Sequence, residues 1–138
     1  MFADPGTVAA VGAALYVAHQ VGDHWVQTQR QADHKGNPGW YGRWQCAAHV
    51  ATYTATAVVA LAALAAVTGW RPGLWPTVAG LAVSAISHYV VDRRRPLRWM
   101  ADRLRKSPAW LERGGGMYAL DQSWHVGWLG VAALIIAA

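Results

Sequence analysis

Three histidine–aspartate pairs in this chain share one spacing. His19 and Asp23, His88 and Asp92, and Asp121 and His125 each stand four residues apart. On a helix that spacing puts both side chains on one face, a turn apart. Imidazole nitrogen and carboxylate oxygen are suitable ligands for zinc, manganese or iron. His49 adds a further imidazole. Together these donors exceed one tetrahedral shell. They suffice for two metals, or for one metal with an outer layer of carboxylates that orient the imidazoles. The chemistry expected is metal-dependent hydrolysis, with zinc as the first candidate and manganese or iron as alternatives. Such an ion lowers the pKa of a bound water and polarises the attacked oxygen. Asp23, Asp92 and Asp121 are the catalytic candidates, as ligand or as general base, and the pattern does not divide those roles. Gln27 and Gln122 are placed to position a water or a substrate oxygen. No serine elbow, cysteine–histidine pair or HExxH motif offers a different chemistry. Cys46 is the one cysteine, so no internal disulfide forms.

Holding these groups requires helices. From Pro72 to Val91 there is no Asp, Glu, Lys or Arg, and that length matches the roughly 20 residues a bilayer core requires. The stretch ends in His88, Asp92 and the run Arg93–Arg95. A first helix is expected from about Thr7 to Gln29, where His19, Asp23 and Gln27 form one stripe and His24 faces elsewhere. A second is expected from about Arg43 to Thr68, with His49 in its early turns. The fourth is expected from about Met117 to Ala138. Between the first two, Gly36-Asn37-Pro38-Gly39 is a turn signal, and His34 and Lys35 read as loop residues, Lys35 with a headgroup or phosphate contact as its alternative. Leu97, Met100, Ala101 and Leu104 recur at helical spacing among basic residues, as in a short amphipathic helix on a membrane surface. Ser107-Pro108 and Gly114–Gly116 bound a link expected to be flexible. The fold expected is therefore all-α: four transmembrane helices in an antiparallel bundle plus an interfacial amphipathic helix, one domain over residues 1–138.

Composition agrees with a membrane setting. The chain is 54% hydrophobic and 14% charged, against roughly a quarter charged in ordinary soluble domains. The start MFADPG carries no basic run, so no signal peptide is expected. Of twelve Lys and Arg residues, all but Arg71 lie in Arg30–Arg43 or Arg93–Arg113. The positive-inside rule then predicts a bacterial inner-membrane, multi-pass protein with both termini outside and the His/Asp cluster toward the cytoplasm. The reversals of chain direction bring Asp23, His49, His88, Asp92, Asp121 and His125 to one depth. Buried ionisable groups are costly unless paired or metal-bound, so they are expected to face one another.

The ordered motifs carry a resemblance. His19, Asp23, Gln27, Thr28 and Lys35 in HQVGDHWVQTQRQADHKG resemble the His-x-x-x-Asp, Gln-Thr and later Lys of a bacterial and phage family of small membrane proteins, catalogued as a domain of unknown function. His49, the HYVVD of His88–Asp92 and the DQSWH of Asp121–His125 resemble that family's later motifs, in order, over most of the chain. His24 stands where an apolar or aromatic residue is expected. The pattern is also loosely similar to membrane-bound metal-dependent hydrolases, and this second likeness implies hydrolysis.

Three functions follow as expectations. The first is a metal-dependent hydrolase of a lipid-linked ester or phosphoester at the cytoplasmic surface, with Lys35 and Arg93–Arg95 steering an anionic substrate. The second is a non-catalytic, metal-stabilised membrane scaffold whose ligands are saturated. The third is a proton or metal-ion transporter, which the apolar outer halves of the helices oppose. Membrane lipid is the expected partner, and alanine- and glycine-rich helices suit a homo-oligomer. Nucleic acid is disfavoured, because the basic segments have an interfacial explanation.

Overall fold

The computed structural model describes residues 3–138; Met1 and Phe2, the start of the polar entry, lie outside the described residues. The chain is all-α. Its helices are α1 (Pro5–Val21), α2 (Gln29–His34), α3 (Gly39–Thr68), α4 (Leu74–Asp92), α5 (Arg95–Arg103), α6 (Pro108–Arg113) and α7 (Gly116–Ala137), with a π-helical turn at Gly22–Val26 after α1. The long helices pack in a closed order: α1 lies against α3 and α7, and α4 lies against α3 and α7.

The expectation of four transmembrane helices is corrected. Among the described residues, only α3 and α4 are long and apolar enough to cross a membrane, with mean hydropathies of 2.0 and 1.4. The other two fail for different reasons. α1 has 17 residues, short of the roughly 20 a bilayer needs, because the helix expected through Gln29 changes form at Gly22. α7 has 22 residues, but Asp121, Gln122, Ser123 and His125 dilute its apolarity. The predicted multi-pass inner-membrane placement rested on four spans. With two candidate helices, neither the outside position of the termini nor the cytoplasmic position of the cluster has support.

Local chemistry explains the remaining boundaries. The Asp4 carboxylate accepts from the Thr7 amide at 2.7 Å, and Pro5 occupies the first turn of α1. Gln27 leaves the helix with an extended backbone, and Thr28 and Gln31 then form a reciprocal capping box that starts α2. The connection read as a polar loop therefore contains a helix. The link expected to be flexible contains α6, whose Trp110 ring packs over Gly116 so closely that a side chain there would collide with it. Gly115 supplies the left-handed residue (φ +72°) that reverses the chain into α7.

Small residues let the long helices approach closely. Val11, Leu15 and Ala18 of α1 meet Ala57 and Leu61 of α3, and Leu129, Ala132, Ala133 and Ile136 of α7, in one buried core. Gly80 brings α4 against α7, where an added Cβ would lie 2.9 Å from the Ala132 carbonyl oxygen. Tyr53 closes one end of this core, its hydroxyl 2.7 Å from Ser84 Oγ. Beyond Tyr53 the interior changes from hydrocarbon to histidine and aspartate.

Candidate metal centre

Each long helix contributes to this polar end. His19 comes from the last turn of α1, His49 from α3, His88 and Asp92 from α4, and Asp121 and His125 from α7. Asp23 sits on the π-helical turn. Such turns widen the helix by one residue and recur at functional sites. Gly22 permits this one, because its backbone lies against the Tyr53 ring, where a Cβ would stand 3.2 Å from Cδ2. The Tyr53 ring in turn supports His88, with ring centroids 4.0 Å apart.

Four of the donor atoms converge tightly. His49 Nε2 and His88 Nε2 are 3.0 Å apart. His49 Nε2 lies 3.4 Å from Asp23 Oδ1 and 3.4 Å from Asp92 Oδ2. His88 Nε2 lies 3.5 Å and 3.3 Å from the same two oxygens. A tetrahedral ion with bonds of about 2.0–2.1 Å sets its ligands about 3.3–3.4 Å apart. The four nitrogen–oxygen separations match the edges of that tetrahedron and are long for hydrogen bonds, whereas the 3.0 Å between the two nitrogens is a hydrogen-bond distance. Asp23 Oδ1 and Asp92 Oδ2 are also buried without a hydrogen-bond partner. Asp23, His49 and His88 form one group that could hold a cation, and Asp92 Oδ2 stands beside both imidazoles without joining it.

The other donors are looser. His125 Nε2 lies 3.6 Å from Asp121 Oδ2 and 3.8 Å from Asp92 Oδ1, buried and without a partner. His19 is fully buried, its Nε2 3.4 Å from Gln122 Oε1 and its Nδ1 3.6 Å from Asp23 Oδ2. Three groups lie close enough to hold a metal ion: His19, His88 and His125; Asp23, His49 and His88; and Asp92, Asp121 and His125. Clusters of histidine and aspartate able to coordinate a divalent metal are thus present, and the geometry singles out no particular element.

Lys35 belongs to the site, not to a free loop. Its Nζ lies 2.9 Å from Asp92 Oδ1. Arg93 holds it there, donating to the carbonyl oxygens of Lys35 and Asn37 beyond the end of α2. Arg93 is therefore tied to backbone, and Arg94 is the member of the arginine run that reaches the adjacent cleft. That cleft has a volume of about 540 Å³ and is lined by Asp23, Gln27, Lys35, Asp92, Arg94 and Asp121 among others. Its lining sets three carboxylates, Asp23, Asp92 and Asp121, against the cations of Lys35 and Arg94.

The electrostatics differ along the cluster. Burial would raise Asp23, but the His49 ring 3.4 Å away and the nearby His88, His19 and His125 outweigh it and hold the carboxyl at about 2. Burial pushes the Asp121 carboxyl up, with His125 opposing and the Asp92 charge adding to the rise. Burial lowers His19 and keeps it neutral at pH 7, although Asp23 pulls the other way. His24 is exposed and bonds its own helix through the Gln20 carbonyl, so it stands outside the cluster. Tyr53 escaped the sequence reading, although it follows His49 by four residues; that reading gives Lys35 as a loop residue or an anion contact, not as the partner of Asp92.

The chain belongs to a family of proteins of unknown function (DUF3307), whose model matches residues 11–138 and so spans every His and Asp of the cluster. No curated protein and no solved structure matches it.

Proposed function

We propose that this member of the family is a membrane-associated, metal-dependent hydrolase of an anionic ester, a phosphoester foremost. The observation that carries the reading is the group of Asp23 Oδ1, His49 Nε2 and His88 Nε2, close enough together for one ion, with Asp92 beside it and both carboxylates lining a charged cleft. A divalent ion held there, zinc foremost, supplies Lewis-acid polarisation of the substrate and a water of lowered pKa.

The chain's own groups fill the other roles. Asp121 borders the cleft with its side chain 26% exposed, and its raised affinity for protons suits a general base or acid. His125, 3.6 Å from that carboxylate, can carry its proton onward. Lys35 and Arg94 supply positive charge for the substrate anion. In the reaction water oxygen bonds to phosphorus or carbonyl carbon and the ester bond to the leaving oxygen breaks. Asp121 takes the proton from water and returns one to the leaving group. Membrane association is supported by α3 and α4, whose apolar stretches are only 17% and 28% buried. A helix from a soluble core would be mostly covered.

A second reading is favoured by the same shell. With Asp92 drawn in to join Asp23, His49 and His88, four protein ligands would close the shell, as in structural zinc sites, whereas catalytic zinc keeps a position open. The site would then be a closed metal staple in a scaffold. Cobalt substitution separates the two. An open position predicts that inorganic phosphate changes the visible spectrum of the Co(II) protein, and that metal-loaded protein hydrolyses 4-nitrophenyl phosphate, bis(4-nitrophenyl) phosphate or a 4-nitrophenyl ester. A spectrum indifferent to phosphate, with no metal-dependent turnover on any of these probes, would leave the staple.

A further inference from the structure

A second, apolar groove adjoins the metal cleft. It has a volume of about 470 Å³ and lies between α5 and α7, lined by Leu97, Met100 and Leu104 on one side and by Leu120, Trp124 and Trp128 on the other. Its few polar groups are already engaged. Ser123 Oγ donates to the Leu120 carbonyl, and Trp124 Nε1 donates to the Ser87 carbonyl at 3.1 Å. The walls therefore offer hydrocarbon and ring carbon, with no free donor for a polar ligand. Leu97 lines both the groove and the metal cleft, and Leu120 precedes Asp121. One end of the groove thus meets the charged site. The groove is also lined by Leu104 and Val131, 68% and 40% exposed, so it is open to its surroundings.

We propose that this groove takes the hydrocarbon chain of a single amphiphile whose anionic headgroup enters the metal cleft. The inference rests on the hydrolase reading for the headgroup and adds the substrate class: a lipid phosphate or related anionic lipid, its tail between α5 and α7. Charge in one compartment, unbroken apolar surface in the next and a shared wall between them match head and tail of such a molecule. A water-soluble ester would use the cleft and leave the groove empty.

Gly127 makes the idea testable without touching the metal site. It lines the groove, and a Cβ there meets nothing within 4 Å. Gly127→Leu therefore starts from an open position, improves helix propensity and projects a side chain into the space the tail needs. The probe is dodecyl phosphate with a diazirine at the chain end, photolysed with metal-loaded protein in phosphatidylcholine nanodiscs. The expected result is adducts on Leu97, Met100, Leu104, Trp124 or Trp128, suppressed about tenfold or more in Gly127→Leu while metal content stays unchanged. Excess inorganic phosphate should weaken the same labelling. Adducts spread over exposed Val17, Val59 and Val67 and indifferent to Gly127→Leu would overturn the proposal in favour of simple bilayer partitioning. Groove adducts that neither phosphate nor Lys35→Met alters would sustain the tail site and overturn the headgroup reading of the cleft.

Discussion

The two halves of the His/Asp cluster use the same residue types and behave differently. On one side His49 Nε2 and His88 Nε2 lie 3.0 Å apart and 3.3–3.5 Å from one oxygen each of Asp23 and Asp92, sealed from solvent. On the other, His125 Nε2 stands 3.6 Å from Asp121 and 3.8 Å from Asp92, two carboxylates that line the cleft. Asp92 belongs to both, with Oδ2 in the tight half and Oδ1 toward Lys35 and His125. Spacing and access, not residue identity, separate groups that would hold an ion from groups that would move a proton.

Breaking the tight half should have the largest effect. His88→Ala removes one vertex and is expected to abolish stoichiometric metal binding, read by elemental analysis, and all metal-dependent turnover with it. An ion retained at full occupancy would erase the distinction between the halves. Asp121→Asn strikes the loose half. It should keep the metal and lower turnover by about 10²–10⁴-fold, the usual worth of a general acid or base. Loss of the metal in that variant would make the two halves one site.

Lys35→Met tests what joins them. Removing one partner of a buried pair costs about 3–5 kcal/mol. Chemical denaturation of metal-free protein should register that loss, and added metal should offset much of it by neutralising Asp92. An equal loss with and without metal would place the ion away from Asp92. The smallest effect is a control in the apolar core. Gly80→Ala forces a methyl group against Ile136 and the Ala132 carbonyl, and overpacking of this kind costs about 1–3 kcal/mol. Metal content should not change, because Gly80 lies two turns from His88.

Much of the cluster was legible before any coordinates. The i, i+4 pairs and the alternating direction of the helices place His49, His88, Asp92, Asp121 and His125 at one end of the packing. Which of them touch was not legible, because a helical stripe fixes direction but not the depth to which side chains from different helices interpenetrate. The first helix misled for a local reason. Val21–Gln27 continues the helical pattern, yet Gly22 packs on Tyr53 and the turn widens, so the span ends early. The fourth stretch misled through its length, since polar residues in its first half leave too little apolar chain. α2 was announced by Thr28 and Gln31, a capping box that passed as loop polarity. Lys35 carries no signature that distinguishes a partner of Asp92 from a solvated lysine. Only the fold, with Arg93 gripping the carbonyls of Lys35 and Asn37, shows where it goes.

The central claim is that the tight half holds one divalent ion. The most direct measurement is metal per chain by plasma mass spectrometry, on protein purified without a metal-affinity tag, for the parent, His49→Ala and Asp121→Asn. The account predicts one equivalent in the parent and in Asp121→Asn, and none in a folded His49→Ala. A folded parent that stays empty when offered zinc, manganese or iron would contradict it, as would full occupancy in His49→Ala.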